Sequence, residues 1–126
     1  DFISHKVDDV DILSKINFVY DDAMASATVA INAKAEGDLV ISGSKGYIYV
    51  PAPWWKTEFF ELRFEDVNLN RKYFYKFEGE GLRYEIVEFL TCIRKNSESF
   101  LMSHQDMIEE VKVLNKFRVN DSVITI

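Results

Sequence analysis

The chain has very little of the residues on which many functional sites depend. Its 126 residues include one cysteine, two histidines and two prolines. The single Cys92 excludes an internal disulfide and suits a reducing compartment, so we expect a cytoplasmic protein. The histidines, His5 and His104, do not stand in a metal-binding spacing such as H-E-x-x-H, and no metal site is predicted.

Long apolar runs and an excess of positive charge are also missing. No stretch approaches the roughly 20 apolar residues that a membrane-spanning helix requires. The net charge is -6, so neither nucleic acid nor an anionic membrane is a predicted partner. What the chain does have is 48% hydrophobic and 14% aromatic residues. That composition favours one folded domain over residues 1–126.

The residues before Gly79 alternate in the manner of β-strands. Ile12 to Tyr20 has a period of two, and Met24 to Ala33 follows after an Asp-Asp turn. Gly43 and Gly46 bound a short connection typical of a hairpin. The predicted strands after these two are Leu39 to Ser42, Tyr47 to Val50, Phe60 to Glu65, Lys72 to Phe77 and a short final strand Val123 to Ile126.

From Leu82 onwards the apolar period becomes 3.6, which predicts an amphipathic helix. Its apolar stripe consists of Leu82, Ile86, Phe89, Leu90 and Ile93. A second helix is expected to begin at Ser103, because Ser103 and Asp106 stand in the spacing of a capping box. The buried stripe predicted for this helix consists of Met107, Ile108, Val111, Leu114 and Phe117.

Strands followed by helices predict an α+β fold. We expect an open-faced, mostly antiparallel sheet of about six strands with two helices packed on one face. The other face is then left for solvent or a partner.

No complete catalytic constellation can be named. Cys92 lies in the first helix without an evident base, which favours an inert thiol. Gly79-Glu80-Gly81 opens the same helix but lacks the third glycine and the parallel crossover of a dinucleotide-binding loop. Glu80, Glu85 and Glu88 are best explained as favourable charges near a helix start. No catalytic or cofactor-binding residue is therefore assigned.

All the prolines and tryptophans fall within VISGSKGYIYVPAPWWK, Val40 to Lys56. Pro51 and Pro53 are expected to end the preceding strand. Adjacent residues of an extended chain point in opposite directions, so one of Trp54 and Trp55 should enter the core. The other is expected to be exposed or to line a ligand cleft. Structural packing and a contribution to a substrate pocket both remain open.

Four stretches taken together resemble a known family. They are MASATVAINA, LVISGSKGYIYVPAPWW, GEGLRYEIVEFLTCIRKN and SHQDMIEEVKVLNKFR, in this order. The series resembles the C-terminal domain of the Gfo/Idh/MocA oxidoreductases, over roughly Ile16 to Phe117. GSKGYIYVPAPWW is most similar to the branch that contains dimeric dihydrodiol dehydrogenase.

The resemblance implies a parent with two domains. An N-terminal Rossmann domain would bind NAD or NADP, and this domain would complete the pocket for a sugar, polyol or related small molecule. Trp54 or Trp55 would form a wall of that pocket. The open sheet face would contact a second copy of the chain, through the residues Glu61, Arg63, Lys72, Phe74 and Lys76.

The chain departs from the family's pattern where catalysis would require a match. It has neither the glycine-rich cofactor fingerprint nor the Glu-Lys-Pro motif that carries the family's catalytic lysine. We therefore expect no hydride transfer by this chain alone, and whether it belongs to an enzyme stays open. One alternative is a stand-alone module for small-molecule binding or dimerisation. A small enzyme with a pocket between sheet and helices ranks last, because no convergent polar set can be named.

Overall fold

The computed structural model describes residues 1–76, 78–119 and 123–125. They form two compact units, Asp1–Lys34 with Glu98–Ile126 and Ala35–Ser97. The predicted α+β class and mostly antiparallel pairing are confirmed. The described strands number eight and divide between two four-stranded sheets, whereas the sequence suggested about six strands in one sheet. The predicted strand positions Phe77 and Ile126 lie outside the described residues.

The sheet of the first unit has four strands, β1 (Phe2–Val7), β2 (Val10–Val19), β3 (Met24–Ala30) and β8 (Val123–Thr125). Their order is β3-β2-β1-β8, and only the pairing of β8 with β1 is parallel. The β1–β2 connection is a tight turn in which Asp8 and Asp9 both have positive φ, as the favoured two-residue hairpin turns require.

The buried core of this unit includes Phe2 and Ser4, both on β1. The Phe2 ring packs against Phe117, with 5.5 Å between centroids. The Ser4 hydroxyl donates to the carboxylate of Asp11, which satisfies a polar group that would otherwise be costly to bury. β1 was not predicted, because its central residues Ser4, His5 and Lys6 interrupt the apolar pattern.

Helix α2 (His104–Arg118) begins at the predicted position. Ser103 is its N-cap, and the capping box with Asp106 is confirmed in both directions. The prediction of a buried apolar stripe was wrong for most of its residues. Met107, Ile108, Val111 and Leu114 are exposed, and Phe117 is partly buried against Phe2.

The second unit contains four strands, β4 (Leu39–Ser42), β5 (Gly46–Val50), β6 (Phe59–Phe64) and β7 (Arg71–Phe74). They form an antiparallel meander with the order β4-β5-β6-β7. Gly43 and Gly46 close the β4–β5 hairpin, where the Gly43 N–H donates to the Gly46 carbonyl at 2.9 Å.

Helix α1 (Leu82–Lys95) also begins where the sequence predicts. Gly81 precedes it at a φ of 83°, and Asn96 ends it in the left-handed conformation. Its apolar side chains are largely exposed, Leu82, Ile86, Phe89, Leu90 and Ile93 among them. Within the described ranges, neither helix is long and apolar enough to cross a bilayer.

Candidate functional site: an aromatic and charged sheet face

The register of the second sheet places four aromatic residues and three charged residues on one side. Tyr47 lies opposite Arg63, and Glu61 lies opposite Lys72. Because side chains alternate along a strand, every second residue from these positions shares the same side. We call this surface the β5–β7 face; it consists of Tyr47, Tyr49, Phe59, Glu61, Arg63, Lys72 and Phe74.

Glu61 is the centre of the charge arrangement on this face. Its Oε2 accepts from Arg63 Nε at 2.8 Å and lies 2.7 Å from Arg63 Nη2. Its Oε1 lies 3.4 Å from Lys72 Nζ. One carboxylate is therefore shared between two cations, and the three side chains together carry one net positive charge.

Both cations also lie over aromatic rings. The Arg63 guanidinium carbon is 4.4 Å from the centroid of Tyr49, and Lys72 Nζ is 3.4 Å from the centroid of Phe59. Phe59 and Phe74 pack with centroids 5.9 Å apart. Cation–π contacts of this kind hold the side chains in place before any partner arrives.

The electrostatics of the face follow from this geometry. The hydrogen bond from Arg63, assisted by Lys72, lowers the pKa of Glu61 below its ordinary value. Hydrogen bonds with Tyr47 and with Glu61 raise the pKa of Arg63. Both shifts favour the charged forms of Glu61 and Arg63.

The lowered pKa of Glu61 predicts how the stability of the folded chain changes in acid. Glu61 stabilises the folded chain above the unfolded carboxyl pKa near 4.5, and that contribution is lost as the pH falls through the lower folded value. In a carboxyl ¹³C NMR titration we expect the midpoint of Glu61 below 4.5. Arg63→Met should raise that midpoint more than Lys72→Met does, because Arg63 is the stronger partner. Equal midpoints in all three proteins would contradict this arrangement.

The predicted interface residues are only partly brought together. Glu61, Arg63, Lys72 and Phe74 share the β5–β7 face. Lys76 lies beyond the end of β7, and its Nζ is 3.9 Å from Glu78 Oε1. It lines a separate pocket. Sequence reasoning missed Tyr47, Tyr49 and Phe59, although the alternation in each strand was a usable signal. The missing information was the register between strands.

The prediction that one tryptophan of the pair enters the core was wrong. Trp54 to Lys56 forms a 3-10 turn, so the two rings do not point to opposite sides of an extended chain. Both are exposed, Trp54 by 49% and Trp55 by 63%, and they meet edge to face at 6.0 Å. The backbone N–H of Trp54 donates to the Gly37 carbonyl at 3.0 Å, and this bond anchors the turn.

A pocket of about 270 Å³ follows this turn in the sequence and lies within the same unit. Its lining residues are Thr57, Tyr75, Lys76 and Tyr84. Tyr75 stacks on Phe60 with centroids 6.0 Å apart, and the Tyr84 hydroxyl accepts the Glu78 N–H at 3.0 Å. The pocket therefore offers hydroxyls, one amine and aromatic walls, a set that suits a small polar ligand with an apolar face. Trp54 and Trp55 are not among these lining residues.

Other candidates from the sequence have structural explanations. Cys92 is partly buried, and its thiol lies 4.0 Å from Glu88 Oε1. His104 is exposed in the first turn of α2, with Nδ1 3.4 Å from Glu98. In the described part of the chain, no cluster of three His, Cys, Asp or Glu side chains is arranged to hold a metal ion.

A scan against protein-family models finds no family that matches the chain. A search of curated proteins likewise finds no significant match.

Proposed function

We propose that the chain is the substrate-side and oligomerisation domain of an NAD(P)-dependent oxidoreductase that acts on a sugar, polyol or related small molecule. The observation that carries the proposal is the β5–β7 face. Its organised charges and exposed aromatic residues supply the self-association surface of such a domain. The sequence resemblance supplies the enzyme class.

The composition of the face suits contact with a second copy. Aromatic residues and arginine are enriched at the centres of interfaces. A two-fold contact pairs each residue with the symmetry-related surface. Glu61 lies between Arg63 and Lys72. If the two copies are slightly offset at the two-fold axis, Glu61 of one copy therefore lies opposite a cation of the other.

The pocket beside the tryptophan turn is the proposed substrate side. Thr57, Tyr75 and Tyr84 carry hydroxyls, and a polyol both donates and accepts hydrogen bonds. The Tyr75 ring would support the apolar C–H face of a sugar. Trp54 and Trp55 do not line this pocket. Their proposed role as walls of the substrate pocket requires that the pocket of the parent protein extends to their exposed rings.

The dinucleotide itself does not fit the residues of this chain. The best candidate is the start of α1, where Gly79 and Gly81 have positive φ. Glu78 and Glu80 at that helix start are ion-paired with Arg83 and Lys56, and the sequence lacks the third glycine of a dinucleotide-binding loop. The preceding strand β7 belongs to an antiparallel meander, which lacks the crossover of a dinucleotide site.

A cofactor titration follows from this misfit. Adding NADH or NADPH to the chain should give no saturable change in tryptophan fluorescence up to about 1 mM. A dissociation constant of about 1 mM corresponds to a binding free energy of only about 4 kcal/mol. A titration with a free tryptophan derivative controls for absorption by the nicotinamide. Saturable micromolar binding would contradict the assignment of the cofactor to another domain.

A stand-alone dimerisation module is the second candidate, and one observation favours it. The β5–β7 face and the pocket both lie within the one compact unit Ala35–Ser97. The coding frame upstream of Asp1 distinguishes the two. A glycine-rich fingerprint and a catalytic lysine there support the oxidoreductase, and a frame without them supports the module.

A further inference from the structure

Strand β3 is the outer strand of the first sheet, and its free edge can be mapped residue by residue. Tyr20 N–H donates to the Ala23 carbonyl, and Ile31 N–H donates to the Ile12 carbonyl. In an antiparallel ladder, hydrogen-bonded and non-hydrogen-bonded pairs alternate. Ala25, Ala27 and Val29 therefore bond to β2.

The other residues of β3 direct their backbone hydrogen-bonding groups outward. The backbone N–H and C=O groups of Met24, Ser26, Thr28 and Ala30 point away from β2. Among the described residues, these groups have no hydrogen-bond partner. Their side chains are exposed, apart from the partly buried Ala30.

This edge lacks the features that normally prevent strands of different molecules from pairing. Such edges are usually short or carry lysine, proline or a bulge. Met24–Ala30 is seven residues long, contains neither a charged residue nor proline, and pairs with β2 without a register shift. The outer strand β4 of the other sheet has only four residues.

The sequence of β3 is also complementary to itself when reversed. With a two-fold axis at Ala27, Ser26 of one copy lies opposite Thr28 of the other, and Met24 lies opposite Ala30. In this register, each residue whose backbone N–H and C=O point away from β2 lies opposite another such residue of the second copy. The pairing completes about eight backbone hydrogen bonds. Ser–Thr is a favourable cross-strand pair, and the small Ala27 side chains fit the close non-hydrogen-bonded position on the axis.

We propose that β3 pairs antiparallel with β3 of a second copy of this chain, centred on Ala27, so that two four-stranded sheets become one continuous sheet. The contact is independent of the proposed oxidoreductase role and of the β5–β7 face. Two different two-fold contacts on one chain build assemblies larger than a dimer.

Thr28→Pro tests the contact directly, because the N–H that proline removes points outward and not to β2. We expect the variant to keep its circular dichroism spectrum and its β2–β3 pairing. Its mass in sedimentation equilibrium should fall about twofold, as loss of one two-fold contact requires. Thr28→Val is the matched control; it keeps the N–H and the β-branched shape, and should retain the wild-type mass.

Amide exchange measured by NMR on the unmodified chain keeps the test decisive if Thr28→Pro fails to fold. The Ser26 and Thr28 amides should become protected as protein concentration rises, whereas the Ala25, Ala27 and Val29 amides should be protected at every concentration. Fast exchange of Ser26 and Thr28 at all concentrations would overturn the proposal. Protection that does not depend on concentration would also overturn it, since pairing within one chain would then explain it.

Discussion

Replacing Phe74 with aspartate is expected to remove self-association through the β5–β7 face. Phe74 is 71% exposed and packs against Phe59, so a partner would bury much of its ring. Aspartate removes that apolar area and leaves a carboxylate to be desolvated. Losing a central aromatic residue costs an interface 2 kcal/mol or more. We therefore expect the dissociation constant of this contact to rise about 30-fold or more.

Val67→Asp is the matched control for this experiment. Val67 is also 71% exposed, but it lies in the 3-10 turn between β6 and β7 and outside the β5–β7 face. The two variants change net charge equally and differ in where the charge is placed. Sedimentation over a dilution series should show weaker association for Phe74→Asp alone. An equal effect of both substitutions would mean that charge, and not the face, controls association.

Gly46→Ala is expected to have the largest effect on stability. A Cβ at Gly46 would lie 2.6 Å from the carbonyl oxygen of Arg63 and 2.9 Å from Cδ1 of Phe64. The first of these atoms is backbone of the paired strand β6 and cannot rotate away. Forcing the strands apart should cost about 2 kcal/mol, which is typical of overpacking. The same shift would displace Arg63 from Glu61 and Tyr49.

Gly43→Ala at the other end of the turn provides the comparison. Its Cβ would meet the Gly46 carbonyl oxygen at 3.4 Å, an ordinary contact. Urea unfolding followed by tryptophan fluorescence reports on this unit, because Trp54 and Trp55 both lie in it. The midpoint should drop clearly for Gly46→Ala and stay nearly unchanged for Gly43→Ala. Equal midpoints would show that β5 and β6 do not approach as closely as described.

Local signals allowed much of the fold to be predicted from the sequence. The capping box at Ser103 and Asp106 marked the start of α2, because the bonds that define it lie within four residues. The period of two marked β6 and β7 for the same reason. β1 escaped prediction because its apolar pattern is interrupted and part of its stability depends on partners distant in sequence. These partners are Phe117 for Phe2 and β8 for one edge of its backbone.

The candidate site was predictable only in part for a related reason. Alternation places Glu61 with Arg63 and Lys72 with Phe74, but only the register between strands places Glu61 opposite Lys72. Register depends on packing and turn geometry. The tryptophan pair shows the opposite failure, since a local 3-10 turn replaced the extended chain on which the prediction was based.

The central claim is that this chain associates with copies of itself through surfaces that it exposes. Sedimentation equilibrium of the unmodified protein at high micromolar concentration is the most direct measurement of it. We predict a dimer or a larger assembly of the 14.7 kDa chain. A single monomeric species at that concentration would contradict it.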